Sequence, residues 1–95
     1  MIQTALKEVG IDFPHPGETI APGTYSFRIA APSDAKEVSI SIDDEAWHSC
    51  RQSDGHWWFD WNNAADGDHV AVSRVIERDG SILVTQPRLF RVQPR

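Results

Sequence analysis

The sequence holds one cysteine, two lysines (Lys7 and Lys36), no cluster of basic residues and no apolar run of membrane-spanning length. Each scarcity removes a class of protein. Cys50 alone cannot close an internal disulfide, so the fold must rest on its core. A membrane-spanning helix needs about 20 consecutive apolar residues, and no stretch approaches that. Fourteen acids against nine Lys and Arg leave a formal charge of −5. Sequence-independent nucleic-acid binding rests on Lys/Arg contacts to phosphate, and Arg88, Arg91 and Arg95 are too few and too widely spaced to supply it. The first eight residues contain no apolar core of a secretory leader. Together with the single thiol, this gives the expectation of a cytoplasmic protein.

The 95 residues make one domain, close to the ~100 of an immunoglobulin-type sandwich. Four Trp, four Phe and one Tyr supply its core material, since each buried ring removes roughly 150–250 Å² from water. Charge is unevenly spread. Residues 1–50 set eight acids against Lys7, Arg28 and Lys36, whereas residues 51–95 set six acids against six arginines.

Short β patterns separated by turn signals recur from residue 11 onward, and no long amphipathic helix interrupts them. Residues 1–10 read as a tail, with room for one helical turn at Thr4 to Val9, and residues 11–95 as the sandwich. From Thr24 to Ala30 the alternation places Tyr25, Phe27 and Ile29 on one face, the period of a half-buried strand. Val38, Ile40 and Ile42 repeat it. Asp43 to Glu45 turns the chain, Ala46 to Arg51 reads as a short strand, and His56 to Trp61 as an aromatic one. Val70 to Glu77 and Ser81 to Val92 make a hairpin across Asp79-Gly80, a pair that favours the type I′ turn. Pro87 cannot donate a ladder hydrogen bond and marks a bulge or an edge. The expectation is an all-β, immunoglobulin-like antiparallel sandwich of about seven strands.

One ionisable group orients the aromatic strand. A buried unpaired carboxylate is costly, so Asp60 faces water and takes Trp58 with it. Trp57, Phe59 and Trp61 then point inward. Ala71, Ser73 and Val75 are small on one face of a later strand and complement those large rings.

The run Tyr25-Ser-Phe-Arg-Ile-Ala-Ala-Pro32, followed by Ala35-Lys-Glu-Val-Ser-Ile40, resembles the early-set immunoglobulin-like domains, and within them the glycogen-binding, isoamylase-N-terminal type of module. Trp47, the aromatic strand, Gly67-Asp-His69 and Asp79-Gly80 continue the order of features. The stretch Ile40 to Trp47 is also similar to bacterial Ig-like repeats, which act as spacers or docking surfaces. Of the sugar-binding positions only Trp47 matches; Ser81-Ile82-Leu83 stands where a second platform Trp is typical.

Two functional readings follow. In the first, the domain is a non-catalytic interaction or structural module that binds another protein or a copy of itself, the latter through an edge strand. Its surface would be Val70, Val72 and Arg74 with Leu89 and Arg91, an apolar patch bearing Arg, one of the residues enriched at interfaces. In the second, it is a carbohydrate-binding module for α-glucan-like polysaccharide. Trp47 and Trp58 would form the platform, with Arg51, His48 and Asp60 bonding hydroxyls. Catalysis is not expected, because Ser, His and Asp occur in no motif with a mechanical rationale. No metal or cofactor is expected either. His48, Cys50 and His56 lack a zinc spacing, and Asp60, Asn62, Asp66 and Asp68 miss the calcium-loop pattern.

Overall fold

The computed structural model describes residues 9–62 and 65–94. The helical turn expected from Thr4, and with it most of the expected tail, lies outside the described residues. The described residues form ten strand segments: β1 (Gly10–Phe13), β2 (Thr19–Ile20), β3 (Tyr25–Ala30), β4 (Ala35–Ile42), β5 (His48–Ser49), β6 (Arg51–Ser53), β7 (His56–Trp61), β8 (Gly67–Glu77), β9 (Ile82–Val84) and β10 (Arg88–Val92). They pack as two sheets. Sheet A has the order β1-β3-β7-β6, and sheet B the order β2-β10-β8-β4-β5, with β9 also paired to β8. The pairing is antiparallel except between β2 and β10, which run parallel.

Two of the seven expected strands are each broken in two, and β2 is a further segment that the sequence does not signal, which makes ten among the described residues. Past Phe13 the chain leaves sheet A through the turn at Pro14 to Gly17 and adds β2 to sheet B. The stretch expected as one strand from Ala46 to Arg51 changes sheets at Cys50, so β5 pairs with β4 whereas β6 pairs with β7. The last strand is interrupted at 85–87, where Pro87 cannot donate to β8. There the Thr85 hydroxyl accepts the Ser73 N–H at 2.9 Å, and the Thr85 N–H donates to the Ser73 carbonyl at 2.9 Å. The break therefore leaves Ser73 fully bonded.

The expected type I′ turn at Asp79-Gly80 is not formed. Only Gly80 of that pair has a positive φ, 91°, and the Gly80 N–H bonds back to the Glu77 carbonyl at 2.9 Å. This is the three-residue hairpin loop closed by a left-handed glycine. Backbone with positive φ at both central residues occurs instead at Asp43-Asp44 (56° and 60°) and at Asp54-Gly55 (53° and 75°). Aspartate tolerates that region better than most side chains, which lets two acids turn β4 into β5.

The core lies between the sheets. Phe27, Ile29, Val38, Ile40, Val75 and Val92 are fully buried, with Ile11, Ile20, Ile42, Ala71 and Phe90 beside them. Trp57, Phe59 and Trp61 point inward from β7 and pack against this cluster. Phe27 sits at the centre of the rings, edge-on to Tyr25 at 5.4 Å, Phe90 at 5.5 Å and Trp61 at 5.9 Å. Opposite them β8 offers Ala71, Ser73 and Val75, all buried. Arg88 ties the layers together, its Nη1 donating to the carbonyls of Ile11 and Pro14.

Candidate functional site

Strand alternation decides which side chains of sheet B face outward. Val38, Ile40 and Ile42 of β4 and Ala71, Ser73 and Val75 of β8 take the core side. Their neighbours Ser39, Ser41, Val70, Val72, Arg74 and Ile76 therefore take the other side. The register extends this outer face across the sheet: Val84 stands opposite Arg74, Ile82 opposite Ile76, and Leu89 opposite Val70. Trp47, arriving from the turn before β5, lays its ring over Arg74, with Cζ 4.3 Å from the ring centroid.

Among the described residues, the large exposed apolar side chains are Leu89 (65% exposed), Ile82 (60%), Val84 (60%) and Trp47 (40%). All four belong to this one face. A scattered exposed Leu or Val needs no explanation, whereas apolar groups gathered on one face with a polar rim mark a contact surface. A depression of about 340 Å³ runs across the face between Ser41, Asp44, Trp47, Val70, Val72 and Pro87. The rim is charged: Arg91 pairs with Asp68 at 3.4 Å, and Asp44 lines the depression.

The structure thus gathers Val70, Val72, Arg74, Leu89 and Arg91 on one face. It adds Trp47, Ile82 and Val84, which the sequence reading assigned to the sugar platform or left unassigned. A period-two reading of Ile82-Leu83-Val84 would have found the last two. Leu83 alone turns inward, and the uninterrupted apolar run hides the alternation.

The sugar platform is not assembled. Trp58 lies on the outer face of sheet A, opposite Arg28 on β3 and Arg51 on β6, with its Nε1–H held by the Ser53 carbonyl at 2.9 Å. Trp47 lies on the outer face of sheet B. The body of the sandwich separates the two rings, so they cannot stack on one chain. His48 joins neither, because it stacks on Phe59 at 5.1 Å at the edge of the core. Arg51 and Asp60 do meet near Trp58: Arg51 Nη2 lies 3.3 Å from both carboxylate oxygens, and Ser26 Oγ donates to one at 2.7 Å. The Ser26 hydrogen bond first, and Arg51 after it, hold the Asp60 carboxyl below its usual range.

Among the described residues, no group of three or more His, Cys, Asp or Glu side chains is placed to hold a metal ion. The structure does not bring His48, Cys50 and His56 together as a ligand set: the His56 Nδ1 contacts the Asp54 carbonyl at 3.0 Å instead. Burial pushes the Cys50 thiol up to about 12, which keeps it protonated.

Two layers in this strand order make an all-β, immunoglobulin-like sandwich. No family model matches the chain, and no curated protein does either. Solved structures share its fold. The fibronectin(III)-like modules of Clostridium thermocellum CbhA are similar over 88% of this chain and 93% of theirs, with 20% identity and a TM-score of 0.75. CopC from Methylosinus trichosporium OB3b is similar over 94% of this chain and 95% of its own, with 19% identity and a TM-score of 0.71. A modular endo-β-1,4-mannanase from Cellulomonas fimi matches 96% of this chain with 19% of its own length, at 15% identity and a TM-score of 0.73. At such identities the likeness speaks for the fold alone.

Proposed function

We propose that the domain is a non-catalytic docking module that engages another protein through the outer face of sheet B. The observation that carries this reading is the placement of Trp47, Ile82, Val84 and Leu89, the large exposed apolar side chains, around Arg74 on that one face. Covering Leu89, Ile82 or Val84 from their present exposure would yield about 1–2 kcal/mol each. Similar sandwiches occurring as modules of larger proteins fit a connecting or docking role. An edge strand is a poorer means of association than this face. The edges are two to four residues long at β2, β5, β6 and β1, and short edges resist strand addition. Polysaccharide binding by paired Trp47 and Trp58 is disfavoured by their opposite faces.

The test compares three folded baits in an extract of the organism that encodes the protein: wild type, Val84→Lys/Leu89→Lys, and Trp58→Thr on the opposite face. The expected result is a partner retained by wild type and Trp58→Thr and lost from the double-lysine bait. Equal retention by all three, or loss from Trp58→Thr alone, overturns the reading.

A further inference from the structure

Arg74 is the one charged side chain in the middle of the apolar face, set between Val72 and Ile76 on β8, Ser39 on β4 and Val84 on β9. Its guanidinium is stacked against Trp47. Its Nε is buried and has no hydrogen-bond partner. The other strand arginines behave differently. Arg28 bonds Asp12 at 3.2 Å, Arg51 bonds Asp60, Arg88 bonds two carbonyls, and Arg91 pairs with Asp68. In a chain of net charge −5, acids to pair with Arg74 are plentiful. Among the described residues, none accepts from its Nε. Glu37, diagonal to it on β4, forms no pair with it, and Asp44 lies at the Val70 end of the depression, four residues away along β8.

A guanidinium fixed on a ring, with its Nε–H unmet, is complementary to a carboxylate, which it can hold through two parallel N–H···O bonds. Because Val72, Arg74 and Ile76 alternate along one strand face, the complementary segment is extended, with apolar, acidic and apolar side chains at positions i, i+2 and i+4. We propose, building on the docking reading above, that Arg74 is the specificity anchor of this face. Its occupant is a strand of another protein that presents one Asp or Glu flanked in this way by apolar residues. A polyphosphate backbone does not fit, because among the described residues the face offers only Arg74 and Arg91, and Arg91 is already paired with Asp68. A second copy of the domain fits poorly, because a two-fold axis through the centre of the face would bring Arg74 onto Arg74.

The probe is a capped pentapeptide, Val-Thr-Glu-Thr-Val, beside its Gln and Lys counterparts, titrated into the isotopically labelled domain. The readout is the Arg74 Nε–H cross-peak, assigned by its absence from Arg74→Met. The expected result is saturable movement of that peak with the Glu peptide, at least about tenfold tighter than with Gln, and none with Lys. Backbone peaks of Val72 and Val84 should move with it, while those of Trp58 stay still. Arg74→Lys, which keeps the charge and loses the fork, should bind several-fold more weakly, and it covers the case in which Arg74→Met does not fold. Equal response to the Glu and Gln peptides overturns the role of Arg74 and leaves the docking face standing. No response to any peptide also overturns it, with the docking reading then judged by the bait comparison alone. A dimer closed over this face at titration concentrations, seen by sedimentation, overturns it in favour of a second copy as occupant.

Discussion

The His69 imidazole bridges two loops: its Nδ1 lies 2.6 Å from the Asp43 carboxylate, and its Nε2 bonds the Ala65 carbonyl. Both partners are acceptors, so both ring nitrogens must carry a proton for both bonds to exist. The ring is stacked on Phe90 at 5.5 Å and meets the edge of Trp61 at 5.1 Å, which fixes it where the two bonds can form. The same Asp43 carboxylate accepts the Val70 N–H at 3.0 Å. One acid in a left-handed turn thereby fastens the β4–β5 turn to the head of β8, the strand on which the docking face is built.

Burial disfavours the charged ring, but the hydrogen bonds to Asp43 and Ala65 and the charges of Asp43 and Asp68 outweigh it, so the His69 pKa is raised. The folded state then binds this proton more tightly than the unfolded chain. Its contribution is complete below the ordinary histidine value of about 6.5 and is lost as pH rises through the raised folded value. Urea midpoints should fall across that interval. In His69→Phe, which keeps the stack and loses both donors, this part of the profile should be flat. That variant should be destabilised at about pH 6 by roughly 1.5–3 kcal/mol, the loss of hydrogen bonds from a charged donor. An unchanged pH slope in His69→Phe would show that the ring is neutral in the folded protein.

Phe27 has no exposed surface and touches three other rings. Phe27→Ala removes the centre of the aromatic cluster and should cost about 3–5 kcal/mol, a large share of the stability of a small domain. Phe27→Leu should cost less than half of that. Denaturant unfolding followed by tryptophan fluorescence measures both, and a loss below about 1 kcal/mol for Phe27→Ala would place the core elsewhere.

Much of this core was legible from single residues. Asp60 alone oriented the aromatic strand, because a carboxylate excludes itself from an apolar interior, and Trp57, Phe59 and Trp61 do point inward. Pro87 marked the break in the last strand for an equally local reason. What was not legible depends on sheet membership. Nothing in Ala46 to Arg51 announces that the chain changes sheets at Cys50, and that change sends Trp47 and Trp58 to opposite faces. Nor could β2 be seen, since two residues in parallel pairing carry no period. Arg74 was placed on the docking face by alternation. Its stack on Trp47, a residue 27 positions earlier, is tertiary.

At the break, the Thr85 hydroxyl substitutes for a strand partner by accepting the buried Ser73 N–H. Thr85→Val preserves shape and removes that acceptor, leaving a buried donor unmet at a cost of about 1–3 kcal/mol. Thr85→Ser should retain most of the stability. The Ser73 amide should also exchange with deuterium faster in Thr85→Val than in wild type. Equal protection in the two proteins would mean that another group serves the Ser73 N–H.

Cys50 sits where the chain passes from sheet B to sheet A, and its backbone N–H is bonded to the Val38 carbonyl at 2.8 Å. Burial pushes its thiol up to about 12, and only the thiolate is an effective nucleophile. At about pH 8 an unfolded cysteine is substantially ionised, whereas this one is almost entirely protonated, so its reaction with a disulfide reagent should be on the order of a thousandfold slower. The rate in native buffer, compared with that in concentrated guanidinium chloride, measures the ratio. Phe27→Ala should raise the native rate, because opening of the destabilised sandwich exposes the thiol more often. A native rate equal to the unfolded one would mean that the β5–β6 crossover opens freely, and that Cys50 could do nucleophilic chemistry which a purely docking domain does not need.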